Sequence, residues 1–248
     1  MTNLVAAELL KFRTTRAWIG FLLTLAALTG LGAAGTVGSS NDLQLGTIEL
    51  SRDIVSSALF ATLVVFVLGI LSVTSEWRHG TVTRTFLVTP RRQQVLVAKE
   101  IWIVLLGLVL ALIALVVTLA VALPWLAFRD AAFEMDSSVA GLGGRVLLAT
   151  ILWGALGVGV GALVQNQTVA LVGAVIWVLL VEALIGVLFG LVDLEGVADY
   201  LPGRALAAFD GTGDGGALST WAGGAVGLAW VVALGAFGGL RMSRQDVT

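Results

Sequence analysis

The sequence predicts an all-α integral membrane protein with six transmembrane helices, preceded by an amphipathic helix in the membrane interface. Hydrophobic residues make up 58% of the 248 positions and charged residues only 12%, about half the charged share of a soluble domain. Six apolar runs are also long enough to cross a hydrocarbon core of about 30 Å, which takes about 20 helical residues. A water-soluble fold would have too little polar surface, and the same composition excludes a disordered chain.

The chain is predicted to form one transmembrane domain over residues 1–248. Its spans are expected near 17–36, 54–75, 99–123, 143–164, 168–191 and 219–240. The fifth span contains Glu182, whose cost of about +2.5 to +3.5 kcal/mol near the membrane centre is offset by its many apolar neighbours. Because Ala33-Ala34-Gly35 resembles a cleavage site, the first span has an alternative interpretation as a signal peptide. Its long apolar stretch and the charged segment before it favour a retained helix.

The distribution of Lys and Arg predicts the orientation. Ten of the fourteen basic residues flank one side of the spans, and basic residues concentrate in cytoplasmic loops. Both termini are therefore expected in the cytoplasm, and residues 192–218 form the longest outer segment. The many Arg, Gly and Ala residues suggest a GC-rich bacterial genome, hence a bacterial plasma membrane. The net charge of −2 gives no reason to expect a nucleic-acid partner.

The first sixteen residues are interpreted as an interfacial helix. Val5, Leu9 and Phe12 fall on one helical stripe, with Glu8 and Lys11 elsewhere around the wheel. The alternative is a short frayed extension.

One cytoplasmic loop, residues 76–98, is long and basic, whereas Gln165-Asn166-Gln167 barely turns the chain. Thr89-Pro90 has the pattern of an N-cap followed by Pro at the first helical position, so the loop is predicted to contain two short helical pieces around a break. Arg91 and Arg92 would then lie where the helix dipole disfavours cations. They either set the topology and contact anionic lipid or form a protein-docking surface.

This loop resembles that of the type-2 ABC exporter permeases, bacterial efflux components. The resemblance rests on Glu76, Gly80 and Thr81 after the second span, and on Pro90-Arg91-Arg92 and Lys99 before the third. The N-terminal run Glu8-Leu9-Leu10-Lys11-Phe12-Arg13 is similar to that family's amphipathic connecting helix. Gln165 to Ala170 resembles its turn between the fourth and fifth spans, without the basic residue common there, and Tyr200-Leu201-Pro202-Gly203 resembles its segment before the last span.

The resemblance implies a permease subunit that moves a drug-like, lipid or peptide substrate out of the cell. It implies a second permease subunit, identical or homologous, and two copies of an ABC ATPase subunit. A coupling loop would enter a cleft of the ATPase, with these residues: Glu76, Arg78, Gly80, Thr81, Pro90, Arg91 and Arg92. Both Lys residues lack the preceding Gly of a phosphate-binding loop, so no ATPase site or cofactor is expected in this chain, and ATP would bind the partner subunit.

Glu182 is the one carboxyl deep in a predicted span, and such groups are functional candidates by default. It could meet a cationic substrate or relay a proton, or it could be structural, protonated or paired with Arg145. Two rival functions therefore remain open: a proton-coupled secondary transporter using Glu182, and a non-transporting assembly or sensor protein that recruits a cytoplasmic partner. With no Cys and a single His, metal sites and enzymatic activity are not expected.

Three pairs of glycines have the four-residue spacing that lets helices approach closely: Gly157 and Gly161, Gly223 and Gly227, and Gly235 and Gly239. They are expected to mark helix packing, including a possible dimer seam.

Overall fold

The computed structural model describes residues 2–89, 91–192, 194–213 and 216–244. Its helices are α1 (Thr2–Thr14), α2 (Ala17–Ser39), α3 (Ile48–Ser56), α4 (Phe60–Arg78), α5 (Val82–Val88), α6 (Arg92–Phe128), α7 (Ser137–Val164), α8 (Gln167–Ile176), α9 (Glu182–Gly190), α10 (Glu195–Ala198), α11 (Pro202–Asp210) and α12 (Thr220–Arg244). A 3-10 turn at Ser57–Leu59 joins α3 to α4, and a π-helical turn at Trp177–Val181 joins α8 to α9. The described residues contain no β-strand.

Six helical segments are long and apolar enough to cross a membrane, which confirms the predicted all-α membrane fold. They are Ala17–Ser39, Ile48–Arg78, Arg92–Phe128, Ser137–Val164, Gln167–Gly190 and Thr220–Arg244. The third is 37 residues long, or about 55 Å at 1.5 Å per residue. It exceeds the thickness of the hydrocarbon core, so part of it lies outside the apolar layer.

The two ends of the bundle differ in charge. One end carries α1, the end of α4, α5 and the end of α12. We call it the basic end, because it includes Lys11, Arg78 and Arg241. The other carries α3, the start of α7 and α11, with Asp53, Asp136 and Asp210; we call it the acidic end.

The centre of the bundle is the contact between α4 and α7, the two most buried spans. A β-carbon added at Gly157 would overlap the carbonyl oxygen of Phe66, and one at Gly161 would lie 2.8 Å from that of Ile70. Only residues without a side chain allow two helical backbones to come this close. The glycine pair expected at this spacing therefore packs α7 against α4 of the same chain.

The second glycine pair also packs within the chain. Added β-carbons at Gly223 and Gly227 of α12 would meet Ala205 and Leu206 of α11. The short helix α11 thus folds back against α12 and α7, with Leu206 fully buried. The dimer-seam interpretation is wrong for these two pairs, because each glycine faces a helix of its own subunit. The third pair also faces a helix of its own chain, because added β-carbons at Gly235 and Gly239 would lie 3.7 Å from Glu100 Oε1 and 3.4 Å from Leu96, both on α6.

The first, fifth and sixth spans form the periphery and expose many large apolar side chains. The fifth span packs on α4 and α7 near the basic end through Ala170 and Ala174. Nearer the acidic end, Leu179, Leu184 and Val187 are all exposed. In a membrane these side chains face lipid or another subunit.

Candidate functional site

Four charged side chains meet at the basic end, where α1, α4 and α6 converge. We call Glu8, Lys11, Glu76 and Lys99 the charge cluster. The Lys99 ammonium lies 3.0 Å from Glu8 Oε1 and 2.8 Å from Glu76 Oε1. The Lys11 ammonium contacts the same two oxygens at 2.8 and 2.6 Å. Two cations and two anions alternate, so the cluster as a whole is neutral.

Lys99 is the most buried member, with a side chain only 1% exposed. A buried ammonium is tolerated only when it is paired and hydrogen-bonded. Lys99 Nζ donates to both carboxylates and, at 2.7 Å, to the carbonyl oxygen of Ser72, which matches the three N–H donors of lysine. Lys11 is 49% exposed; desolvation lowers the pKa of its ammonium, but Glu8 and Glu76 outweigh that effect and raise it overall.

Apolar contacts bring α1 to the cluster. Phe12 packs edge-to-face on Trp102 of α6, with ring centroids 5.9 Å apart, and Val5 also packs on the core. The helix therefore lies against the bundle and is not a frayed extension. Glu8 lies outside the apolar stripe of α1, yet it is the one buried residue of that helix, because Lys99 and Lys11 compensate its charge there.

The segment after the charge cluster forms a small exposed surface. Helix α4 ends at Arg78, and Gly80 turns the chain with a φ of +65°, which an L side chain rarely adopts. Helix α5 then packs Val82 and Phe86 into the core and leaves Leu87 78% exposed. We call residues 79–91 the basic-end loop.

The second of the two helical pieces expected in the loop is not a separate helix but the first part of the third span. Thr89 ends α5 as its C-cap, and the helix of the third span begins at Arg92 with Arg91 at its N-cap. The predicted N-cap at Thr89 was therefore wrong. Contacts that hold Arg92 include Phe86, whose ring centroid lies 4.9 Å from the guanidinium, and the carbonyl oxygen of Met242, which accepts from the guanidinium at 2.8 Å.

The residues expected in the coupling loop separate into two groups. Glu76 lies inside the charge cluster, and Arg92 is half-buried against the bundle. The exposed residues of the set are Arg78, Gly80, Thr81 and Arg91. Pro90 lies outside the described residues.

Glu182 lies nearer the acidic end and is only 3% exposed. Its carboxylate accepts from the indole N–H of Trp177 at 2.9 Å and from the backbone N–H groups of Gly203 and Arg204 at 3.0 and 3.1 Å. Those two amides belong to the first turn of α11, where helix N–H groups lack helical partners. Glu182 does not pair with Arg145, which instead donates to the carbonyl oxygen of Phe209.

Beside Glu182 a cavity of about 1040 Å³ opens toward the acidic end. It lies between the first span, α3 with the start of α4, the fifth span and α11. Its lining combines aromatic rings, hydroxyls and charged groups, including Phe60, Trp153, Thr36, Asp53 and Arg204. A cavity with both apolar and polar walls suits an amphipathic guest.

Asp210 lines the same cavity where α11 ends. Burial raises the pKa of its carboxyl, against the opposing effects of the Thr212 hydrogen bonds and the charge of Arg145. The amide and hydroxyl of Thr212 donate to the Asp210 carboxylate at 3.0 and 2.7 Å. These two hydrogen bonds hold the turn after α11.

Sequence reasoning named every member of the charge cluster but did not bring the four together. One signal was available: the chain has only two Lys among its fourteen basic residues, and both lie in the cluster. Lysine presents a compact charge with three donors, whereas arginine presents a planar fork. A Lys retained in an Arg-rich chain is a reason to expect a site that needs the compact cation.

Comparison with known proteins identifies no family. No family model matches the chain, and no curated protein matches it.

Proposed function

We propose that this chain is the membrane-spanning permease subunit of an ATP-driven ABC exporter, driven by a separate ATPase subunit. In this proposal the basic end faces the cytoplasm of a bacterial cell and both termini lie there. The predominance of Lys and Arg at that end supports the orientation.

The observation that carries the proposal is the charge cluster. It joins α1, the end of the second span and the start of the third span through three ion pairs between these elements. The basic-end loop connects those same two spans. A force applied to the loop would therefore move α1 and both spans together, which is what coupling to an external motor requires.

The exposed surface of the basic-end loop supports a protein partner. Leu87 and Arg91 are both exposed, and Phe86 and Val82 seat α5 on the bundle beneath them. An exposed basic residue and an exposed leucine in one loop fit a partner surface with an apolar recess and an acidic rim. Two ATPase subunits, one for each permease, are the proposed partners.

The cavity at the acidic end supports transport over a purely structural role. It is large enough for a small-molecule guest, and the exposed apolar side chains of the fifth span flank it. We propose that a second permease subunit, identical or homologous, covers this side and that alternating exposure between the two subunits moves the substrate outward.

The rival functions receive less support. Glu182 is occupied by three donors, two of them backbone amides, and such a carboxylate suits a structural role better than proton relay. A non-transporting sensor would use the same loop, but it gives no account of the cavity.

Co-purification tests the proposal. The tagged chain is extracted from its native membrane in mild detergent, its partners are identified, and vanadate-sensitive ATP hydrolysis is measured. Leu87→Glu and Arg91→Glu are compared with Arg52→Glu, an exposed arginine at the acidic end. We expect an ATPase to accompany the wild type and the Arg52 variant, and its recovery to fall about tenfold with the loop variants, a loss of about 1.4 kcal/mol. Absence of an ATPase from the wild-type preparation, or equal loss in all three variants, would overturn it.

A further inference from the structure

A second charged group lies at the depth of the charge cluster but outside it. Glu100 follows Lys99 on α6 and points toward α12, where an added β-carbon on Gly235 would lie 3.7 Å from Glu100 Oε1. Among the described residues Glu100 has no hydrogen bond or ion pair, whereas its neighbour Lys99 has three acceptors.

The carboxyl of Glu100 lines an apolar groove of about 510 Å³ between α6, α7 and α12. Its walls are formed by aliphatic side chains, with Leu228, Val232, Val97 and Val104 exposed along it. Of the described residues that line the groove, Glu100 is the charged one, and Gln93 adds an amide toward the basic end.

A carboxyl group beside apolar walls must either stay protonated or have its charge compensated by a cation. The chain provides no cation among the described contacts of Glu100, and the exposed aliphatic side chains along the groove could face lipid chains in a membrane. A ligand with an ammonium group on an apolar chain would satisfy both parts: its N–H groups would donate to the carboxylate, and its chain would fill the groove.

We propose that this groove binds one aminophospholipid from the leaflet at the basic end, with Glu100 holding its ammonium group and the aliphatic walls holding an acyl chain. The position along the span supports a lipid over a dissolved amine. Glu100 follows Lys99, whose cluster partner Lys11 is half-exposed, and it lies in the first turns of a 37-residue helix that is longer than the hydrocarbon core. This position would bring the carboxylate within reach of the headgroup layer. The inference does not depend on an ATPase or on transport.

Native mass spectrometry tests the site. The full chain is placed in lipid nanodiscs of phosphatidylglycerol with added phosphatidylethanolamine, released into mild detergent, and the lipids retained per chain are counted. We expect one phosphatidylethanolamine to be retained under conditions that remove phosphatidylglycerol. Glu100→Gln should reduce its retention about tenfold. Glu134→Gln, which changes an exposed carboxyl at the acidic end, should leave it unchanged.

A second variant tests the contribution of the apolar groove to lipid binding while keeping the carboxyl of Glu100. Leu228→Trp places a larger side chain in the groove and keeps Glu100, and it should also reduce retention, with unchanged helical content and monodispersity showing that the variants fold. Equal retention of both lipids, or unchanged retention in Glu100→Gln, would overturn the proposal. Binding of dodecylammonium without retention of phosphatidylethanolamine would also overturn the lipid assignment, in favour of a free amphiphilic amine.

Discussion

Replacing Lys99 with methionine tests the charge cluster by removing its most buried charge. Methionine has a similar length and fits an apolar surrounding, but it removes the ammonium that contacts Glu8, Glu76 and the Ser72 carbonyl at 3.0, 2.8 and 2.7 Å. Two largely buried carboxylates would then share Lys11 alone, and the cluster would carry one uncompensated negative charge.

The expected loss follows from the burial of the pair. Removing one partner of a buried ion pair destabilises a protein by about 3–5 kcal/mol, because the other charge remains buried without compensation. Lys11→Met should cost less, about 1 kcal/mol, because Lys11 is half-exposed and water can replace part of its contacts. The free energy of unfolding is measured by denaturant titration in mixed micelles, with helical content as the signal.

A double variant isolates the electrostatic contribution. Adding Glu76→Gln to Lys99→Met restores neutrality, with Glu8 and Lys11 as the remaining pair, so the double variant should regain more than about 1 kcal/mol relative to the sum of the single losses. If Lys99→Met changes the free energy of unfolding by less than about 0.5 kcal/mol, or the two effects simply add, the cluster does not hold α1, α4 and α6 together as described.

Two further predictions concern the acidic end. Glu182→Ala leaves the Trp177 indole N–H and two amides of α11 without an acceptor, so we expect the free energy of unfolding to fall by about 1–3 kcal/mol. Glu182→Gln keeps an acceptor and should lose less. An alanine variant as stable as the wild type in the same titration would contradict the role given to Glu182. Asp136 caps α7 by accepting from the Val139 amide at 2.8 Å, which lowers the pKa of its carboxyl. The folded state therefore favours the ionised form, and the stabilisation is present above about pH 4 and lost as pH falls through the lower folded pKa. The stability difference between the wild type and Asp136→Asn should shrink as the pH is lowered from neutrality; a constant difference would contradict the cause given for the lowered pKa.

The number and approximate position of the spans could be predicted because insertion depends on a local property. Each run of about 20 apolar residues must cross the membrane as a helix, whatever its neighbours are. The ends were less accurate, since the second and third spans continue through amphipathic turns to Arg78 and from Arg92. These end segments are helical because they pack on the bundle, and a hydropathy profile does not predict such packing.

The candidate sites depended on contacts between distant parts of the chain. Glu8 and Lys99 are 91 positions apart, and the partners of Glu182 lie 21 and 22 positions after it. Glu100 stands at the start of the predicted third span, and only the position of α12 shows that its carboxyl lines a groove without a partner among the described residues.

Hydropathy and charge along the chain are sufficient to predict a six-span helical membrane protein with a basic loop between its second and third spans. Which charges compensate each other becomes known only once the helices are packed, because neither the wheel position of Glu8 nor the depth of Glu182 specifies a partner. A span depends on the transfer free energy of one contiguous segment, whereas a buried charge is tolerated only where folding brings an opposite charge or a donor to it.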